Sequence, residues 1–580
     1  MQAIRTYYEF QDVDIDRYEI EGELRQVLLS ARELSLDDLP EGTRSWPNQH
    51  LQYTHGYGIV ASLANDLTEA GQPDFLIKDI PGTAEEGAES LDPVEEPRLY
   101  FGESFEADEY SIVRSGQREI DFETESGAVE RSRYEGVGGV PVGNIFRRLA
   151  FAVREFDSNL LISNLIEPES RIMLYRNVRD RVSRAAPFLS LDNDPYPAVV
   201  DGRTVWILDA YTSTEWYPYS QRFPLDEIVS TGQGTLTGDK NYVRNSVKVV
   251  VDAFNGTMDF YIIDEEDPLI EAWSKAFPDL FTDEEPTEEL REHFRYPEDL
   301  FKIQSEVYLS YHIEEANNFY SKSDVWAIPE SGGATGDELL APTYLLFSLP
   351  GEPEQEFVLT RPFTPRARNN MVSFMVGRSD PEVYGEIVTL QFPRSRQILG
   401  PAQVDNLINQ DFEISQDLSL LRQGGSDVEF GSLVILPVND SVMYVRPLFV
   451  IANGGAATSA ATSSGIPEVK RVILVFGEEV VMEETFDAAL ASLFDLEEQP
   501  EITVPPGDDQ PPGEDGEPGE DGDDQPPEDQ RELNQIVEEA SDLYARAQQA
   551  LQDGDFEAYG RLINQLGELL EEAQQLSGGG

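Results

Sequence analysis

The sequence predicts an α+β fold: a large mixed body rich in antiparallel hairpins with interspersed helices, then a disordered acidic linker and a C-terminal helical hairpin. Three observations predict it. Tight-turn residues recur between β-branched and aromatic runs; amphipathic helical stretches are scattered among them without regular strand–helix alternation; and composition breaks sharply at Glu497. The 580 residues include 29 Phe and 24 Tyr, and 40 % of them are apolar, enough for a large core. A chain of this length holds roughly two to four domains of about 100–200 residues each. The expected division is a body at 1–495, with two or more subdomains open, a linker at 496–530, and a hairpin of helices at 531–577.

The strands come first. Val199-Val200 and Thr204–Leu208 flank Asp201-Gly202, a pair suited to the positive φ angles of a two-residue hairpin turn. Val247–Ala253 and Met258–Ile263 flank Asn255-Gly256 in the same way, and Leu433–Val438 and Val442–Ile451 flank Asn439-Asp440. Further strands are expected at Arg171–Tyr175, Tyr344–Leu349, Phe357–Thr360, Glu386–Phe392 and Arg471–Phe476.

Helices are signalled by their caps. Asp267-Pro268 is an N-cap followed by a first-turn proline, ahead of Ile270, Trp273 and Phe277. Pro297 opens a second helix, with Leu300, Gln304, Val307 and Tyr311 expected on one face. Asn144–Phe156 and Ala402–Gln410 are two more. Near the C-terminus, Leu533, Ile536, Val537, Ala540, Leu543, Tyr544 and Ala547 recur at helical spacing. The pattern breaks at Asp553-Gly554-Asp555 and resumes from Phe556 to Leu570. Two such helices leave an apolar face exposed, so 531–577 is expected to dock on its own body, on a protein partner or on a second copy. The intervening Pro, Gly, Asp and Glu have too little apolar surface to offset the entropy of ordering.

Charge narrows the function. The formal net charge is −69, of which residues 1–500 carry −50, so the acidity is spread through the body. Such a surface repels polyanions, and nucleic acid is not an expected partner. Only seven of the 42 basic residues are lysines. A carboxylate-rich, lysine-poor surface fits a salty medium, where screening offsets self-repulsion; an arginine-favouring genome is the alternative. Cysteine is absent, which excludes disulfides, thiolate metal sites and a cysteine nucleophile. No run of 18 apolar residues occurs, and the opening MQAIRTYYEFQDVDID lacks the basic and apolar regions of a signal peptide. As given, the chain reads as soluble.

Candidate site residues are few. Trp206, Tyr211, Trp216, Tyr217 and Tyr219 form a dense group of amphipathic rings able to stack on a sugar, although core packing is the commoner fate of such rings. His50 and His55, five residues apart, and Asp192 and Asp194, two apart, are metal candidates. The histidine spacing suits neither a helix face nor a strand face, and Asp192-Asn193-Asp194 lacks the further ligands of a calcium loop. Histidines held by backbone bonds and a turn into Pro195 are the competing readings. No cofactor is evident and a divalent cation is left open. Gly136–Gly143 precedes the helix at Asn144 without the lysine and hydroxyl of a nucleotide loop, and no nucleophile elbow or HExxH is present.

Several stretches together resemble uncharacterised protein family 0182. They include YYEFQDVDIDRY (7–18), NQHLQYTHGYG (48–58), FLIKDIP (75–81), and the long run RIMLYRNVRDRVSRAAPFLSLDNDPYPAVVDGRTVWILDAYT (171–212). NYVRNSVKVVVDAFNGTMDFYIID (241–264), RYPEDLFKIQSEVYLSYH (295–312), FTPRARNNM (363–371), INQDFEISQDLSLL (408–421) and IPEVKRVILVFGEEVVM (466–482) continue it. The resemblance implies bacterial and archaeal multi-pass membrane proteins with a large domain outside the membrane. This chain resembles that domain alone: the spanning helices that normally precede it, and that tie the family to the membrane, are missing here. Truncation, a fragment boundary or a split gene each account for a start at Met1. No reaction, and so no catalytic residue, transfers with the resemblance. The expected role is a non-enzymatic extracytoplasmic module at the cell membrane, acting through protein contacts or assembly; the alternative is an envelope protein that binds or hydrolyses glycans.

Overall fold

Four five-stranded antiparallel sheets organise the described part of the chain. The computed structural model describes residues 7–494, apart from 69, 86, 92–94, 107–108, 125–126, 230–233, 331–338, 353, 394, 424–425, 439–440 and 453–466. The chain divides into two units, Met1–Gln499 and Pro500–Gly580. The expected linker at 496–530 and helical hairpin at 531–577 lie outside the described residues.

The first sheet is a meander of β1 (Asp14–Ile20), β2 (Glu23–Ala31), β3 (Ile59–Leu67), β4 (Pro73–Lys78) and β5 (Thr83–Ala84). A smaller sheet pairs β6 (Ser111–Val113) and β7 (Val140–Pro141) with β8 (Arg171–Met173), shorter than the expected Arg171–Tyr175. Between β7 and β8 lie α1 (Ile145–Arg154) and α2 (Asn159–Ile162). The Asn144 side chain caps α1 by accepting from Phe146 N. α3 (Val178–Ala185) follows β8.

The second large sheet contains β9 (Ser190–Leu191), β10 (Tyr196–Val200), β11 (Arg203–Thr214), β12 (Tyr242–Asp252) and β13 (Met258–Ile262). The β10–β11 hairpin has the predicted turn: Asp201 and Gly202 take φ values of 50° and 67°. β11 is buried on both faces, and its alternating side chains feed separate cores. Trp206 and Leu208 pack with Val249 of β12, Val178 and Val182 of α3, and Ile270 of α4 (Pro268–Ala276). Ile207 instead meets Tyr196, Val250 and Leu290, the last on α5 (Glu288–Glu292). The Asn255-Gly256 connection is longer than a two-residue turn. Asp252 accepts from Phe254 N and Asn255 N at 2.8 and 2.7 Å, opening a wider loop between Val251 and its partner Met258. Gly256 is needed there: φ is +66°, and a Cβ would stand 2.4 Å from the Phe101 ring.

α4 starts as predicted, with the Asp267 carboxylate accepting from Leu269 N and Ile270 N and Pro268 in the first turn. α6 (Glu298–Tyr311) follows Pro297. Its packing differs from the single face expected. Phe301 enters the core of the third sheet, Ile303 meets Tyr211 on the opposite side with Leu300 and Val307, and Tyr311 is 52 % exposed. A helix clamped between two sheets carries apolar residues around most of its circumference, which blurs a one-face pattern.

The third sheet comprises β14 (Trp326–Ala327), β15 (Thr343–Phe347), β16 (Glu356–Pro365), β17 (Ser373–Arg378) and β18 (Ile387–Gln391). α7 (Pro401–Gln410) and α8 (Phe412–Gln423) lead to the fourth sheet. Its strands are β19 (Ser426–Phe430), β20 (Val434–Val438), β21 (Ser441–Ala452), β22 (Glu468–Phe476) and β23 (Glu479–Glu483). Val438 pairs with Ser441, so the hairpin predicted across Asn439-Asp440 is present. Phe374 and Val376 of β17, Val404 and Ile408 of α7 and Ile473 of β22 share one core that joins these two sheets.

Candidate functional site

A dense group of ionisable side chains surrounds Arg295, which lies in the five-residue connection between α5 and α6. Arg295 reaches Asp14 Oδ1 on β1 at 3.0 Å and Asp194 Oδ2, between β9 and β10, at 2.7 Å, and donates to the Ile15 carbonyl at 3.0 Å. Its guanidinium lies 3.8 Å from the centroid of the Tyr196 ring. Two residues before it, His293 Nδ1 is 2.7 Å from Asp16 Oδ2 on β1. One short connection therefore ties the first sheet to the second.

Asp192 and Asp194 are brought into this cluster. Asp192 Oδ1 accepts from Asp194 N at 3.1 Å; its Oδ2 accepts from Asp299 N at 3.2 Å and from the Tyr211 hydroxyl. Asp299 returns the bond, accepting from Asn193 N at 3.0 Å, so the 192–194 loop and the first turn of α6 cap each other. Lys302 Nζ lies 2.6 Å from Glu298, and Arg179 2.7 Å from Glu103. On the sheet itself Lys248 Nζ lies 2.7 Å from Asp209 Oδ1 and donates to the Arg295 carbonyl at 2.9 Å.

Acids outnumber bases here, and the electrostatics follow. Burial pushes Asp14 well above the usual carboxylate range, and Asp194 adds to the rise while Arg295 opposes it. Asp192 is raised by burial and then by Asp299 and Asp209. Burial takes Asp299 up to about 6, Glu33 up to about 7 and Glu103 up to about 10. Arg295 is buried too, but Asp194, Tyr344 and Asp14 hold its proton firmly. Asp14 Oδ2 and Asp299 Oδ1 are buried without a hydrogen bond, which opposes ionisation of both carboxyls. Such a cluster holds protons and stitches elements together. Among the described residues, no group of three or more His, Asp or Glu is placed to hold a metal ion.

The aromatic candidates separate where β11 ends at Thr214. Trp206 is 1 % exposed and donates Nε1–H to the Phe101 carbonyl at 3.0 Å; Tyr211 is sealed against Asp192. Neither ring is open to a ligand from solution. Trp216, Tyr217 and Tyr219 are 76, 54 and 110 % exposed. Asn241 clamps their loop, accepting from Tyr217 N at 3.0 Å and donating to the Tyr217 carbonyl at 2.9 Å. Tyr217 stacks on Tyr242, and Arg222 lies 5.4 Å from the centroid of the Trp216 ring.

His50 and His55 sit apart from the Arg295 cluster in their bonding. His50 bonds the Tyr110 carbonyl at 2.8 Å and stacks on the Tyr110 ring, and burial lowers its pKa. His55 has both ring nitrogens engaged, Nδ1 with Thr54 and Nε2 with Asp121, each at 3.0 Å. A groove of about 330 Å³ is lined by Tyr261, Glu265, Glu271, Asp283, Glu284 and Glu285 among others, and by none of the candidate rings. Gly136 and Gly138 serve close packing, since a Cβ on either would collide with Tyr134 and Asn255.

Nothing in the local sequence singles out Arg295, Asp14 or Glu103. The partners of Arg295 lie 101 and 281 positions away, and no local spacing announces them. The one available signal was Lys248, a lysine inside the run VKVVV of a strand with neighbours buried on both faces.

No solved structure matches the chain. The profile of the uncharacterised protein family UPF0182 matches residues 1–421. A UPF0182 protein of Pelotomaculum thermopropionicum is 40 % identical over all of this chain and 59 % of its own length. Those of Trichodesmium erythraeum and Methanospirillum hungatei are each 38 % identical, covering 99 and 98 % of this chain and 60 and 59 % of theirs. The chain thus spans about three fifths of the length of these relatives, and it belongs to the uncharacterised protein family UPF0182.

Proposed function

We propose that the chain is a non-enzymatic, extracytoplasmic module of a cell-membrane protein that works through protein contacts or assembly. The observation that supports this is the distribution of chemistry. Arg295 and Asp14 are buried and paired with each other, whereas large rings such as Trp216 and Tyr219 stand in solvent. Buried compensated charge fixes a shape, and exposed aromatics are the usual anchors of an interface. No helix among the described residues is long and apolar enough to cross a membrane, so membrane attachment would come from the remaining two fifths of the relatives' length. The test is covalent capture in native membranes, with a photo-crosslinking residue replacing Tyr219. One or a few discrete protein adducts support the reading; adducts to lipid or none at all count against it.

A second reading has one observation in its favour. Trp216, Tyr217 and Tyr219 are exposed together on a clamped loop, a platform on which a sugar ring can stack. Saturable binding on a glycan array that is lost in Trp216→Ala would replace the first reading with this one.

A further inference from the structure

One cation does not neutralise two carboxylates, yet Arg295 serves both Asp14 and Asp194, at 3.0 and 2.7 Å. Asp14 is 5 % exposed. Its Oδ1 accepts from the guanidinium, whereas its Oδ2 is sealed from solvent without a hydrogen bond among the described residues. The side chain within bonding reach of the Asp14 carboxyl on its own strand is another acid, Asp12, exposed at the approach to β1. Two carboxylates repel at such a range, but a carboxylic acid donates to a carboxylate. A proton on Asp14 therefore satisfies the orphaned oxygen and removes the surplus charge in one step.

The groups that act on Asp14 come from every side. Asp194 lies on the β9–β10 connection, Glu103 on the segment before β6, and Asp12 just ahead of β1; against them stand Arg295 and, from α3, Arg179, which is already paired with Glu103. β1 is the edge strand of the first sheet. Three of its side chains reach across: Asp14 to Arg295, Asp16 to His293, and Tyr18, whose hydroxyl accepts from Val199 N on β10 at 3.1 Å. We propose that Asp14 holds a proton shared with Asp12, and that this proton latches the start of β1 to the second sheet. Loss of the proton sets the Asp14 anion against Asp12 on one side and Asp194 on the other, with Arg295 alone to compensate. Burial first, and then Asp194, hold the Asp14 carboxyl well above its ordinary range. A group so raised stabilises the closed arrangement at low pH and ceases to do so as pH rises through its folded value. The latch is therefore shut in acid and loosens in base. Its effect stays local, because Tyr18 and Ile20 also share an apolar core with Val199. It does not depend on the role proposed above.

Amide hydrogen exchange of the full chain, read by mass spectrometry, tests this when variants are compared at one pH so that intrinsic exchange rates cancel. Asp14→Asn keeps an acceptor for Arg295 and supplies a fixed donor to Asp12, the arrangement of the protonated pair. At about pH 6, peptides spanning 12–20 and 190–196 should exchange alike in this variant and the wild type. At about pH 9 the wild type should exchange there about tenfold faster or more, with no difference in the fourth sheet. Matching thermal midpoints at the lower pH verify folding. Asp12→Asn, at an exposed position, decides the matter should the buried variant fail to fold. Its amide donates to an ionised Asp14, so it too should stay protected at the higher pH. The infrared difference between wild type and Asp14→Asn at the lower pH should contain the carbonyl stretch of a protonated carboxylic acid. Absence of that band overturns the proposal, and so does equal exchange of the wild type and a folded Asp14→Asn at the higher pH. An Asp12→Asn variant that loosens with pH as the wild type does would overturn it as well, since the proton would then not be shared.

Discussion

Lys248 Nζ and Asp209 Oδ1 lie 2.7 Å apart across directly paired positions of β12 and β11, both side chains closed to solvent. Burial lowers the lysine's pKa and Asp209 opposes that fall. Lys248→Met should destabilise the chain by about 3–5 kcal/mol, because Asp209 is left buried with a single hydrogen bond from Asn245. Asp209→Leu/Lys248→Met should recover most of that loss, since two apolar side chains leave no charge to compensate. Urea midpoints of the two variants check it; equal destabilisation in both would show that packing, and not charge, governs the site.

Glu33 gives a pH dependence of unusual sign. It is buried, accepts from Ser104 N and Oγ at 3.1 Å each, and is raised from 4.5 to about 7 chiefly by burial. The folded state thus binds this proton more tightly than the unfolded one. Its contribution is fully present below the unfolded pKa and is lost as pH rises through about 7, as is that of Asp299 through about 6. Asp121, Asp157 and Asp267, whose pKa values are lowered, act in the opposite sense at lower pH. Stability should fall between about pH 5 and pH 8, and Glu33→Gln should remove roughly 3 kcal/mol of that slope. Denaturation midpoints across the range measure it, and an unchanged slope in the variant would show that Glu33 does not carry the effect.

Salt should stabilise the chain. The charge of −50 on residues 1–500 repels itself, most strongly in dilute buffer. The Debye length falls from about 30 Å at 0.01 M to about 3 Å at 1 M, so the thermal midpoint should climb steeply and then level off in potassium chloride. A further rise in potassium sulfate at matched ionic strength would come from strengthened apolar burial. A midpoint that stays flat or drops in chloride would show that repulsion does not limit stability.

Signals satisfied within a few residues could be read from the sequence alone. The mixed α+β class, the Asp201-Gly202 turn, the β20–β21 hairpin and the Asp267-Pro268 start of α4 all belong here, because turn and cap energetics depend on immediate neighbours. Asp192 and Asp194 were also visible as a pair, though not as partners of Arg295 and Asp299. Whatever depends on distant segments had to await the tertiary structure. Trp206 and Trp216 are the same residue type ten positions apart, one 1 % and the other 76 % exposed, because β11 is covered on both faces and ends at Thr214 between them. Asn144–Phe156 reads as a helix in either case, but only the packing of Phe151 and Ala152 turns its apolar stripe outward. Burial and ion pairing are properties of the assembled sheets, and the chain brings Asp14, Asp194 and Arg295 together only once those sheets have formed.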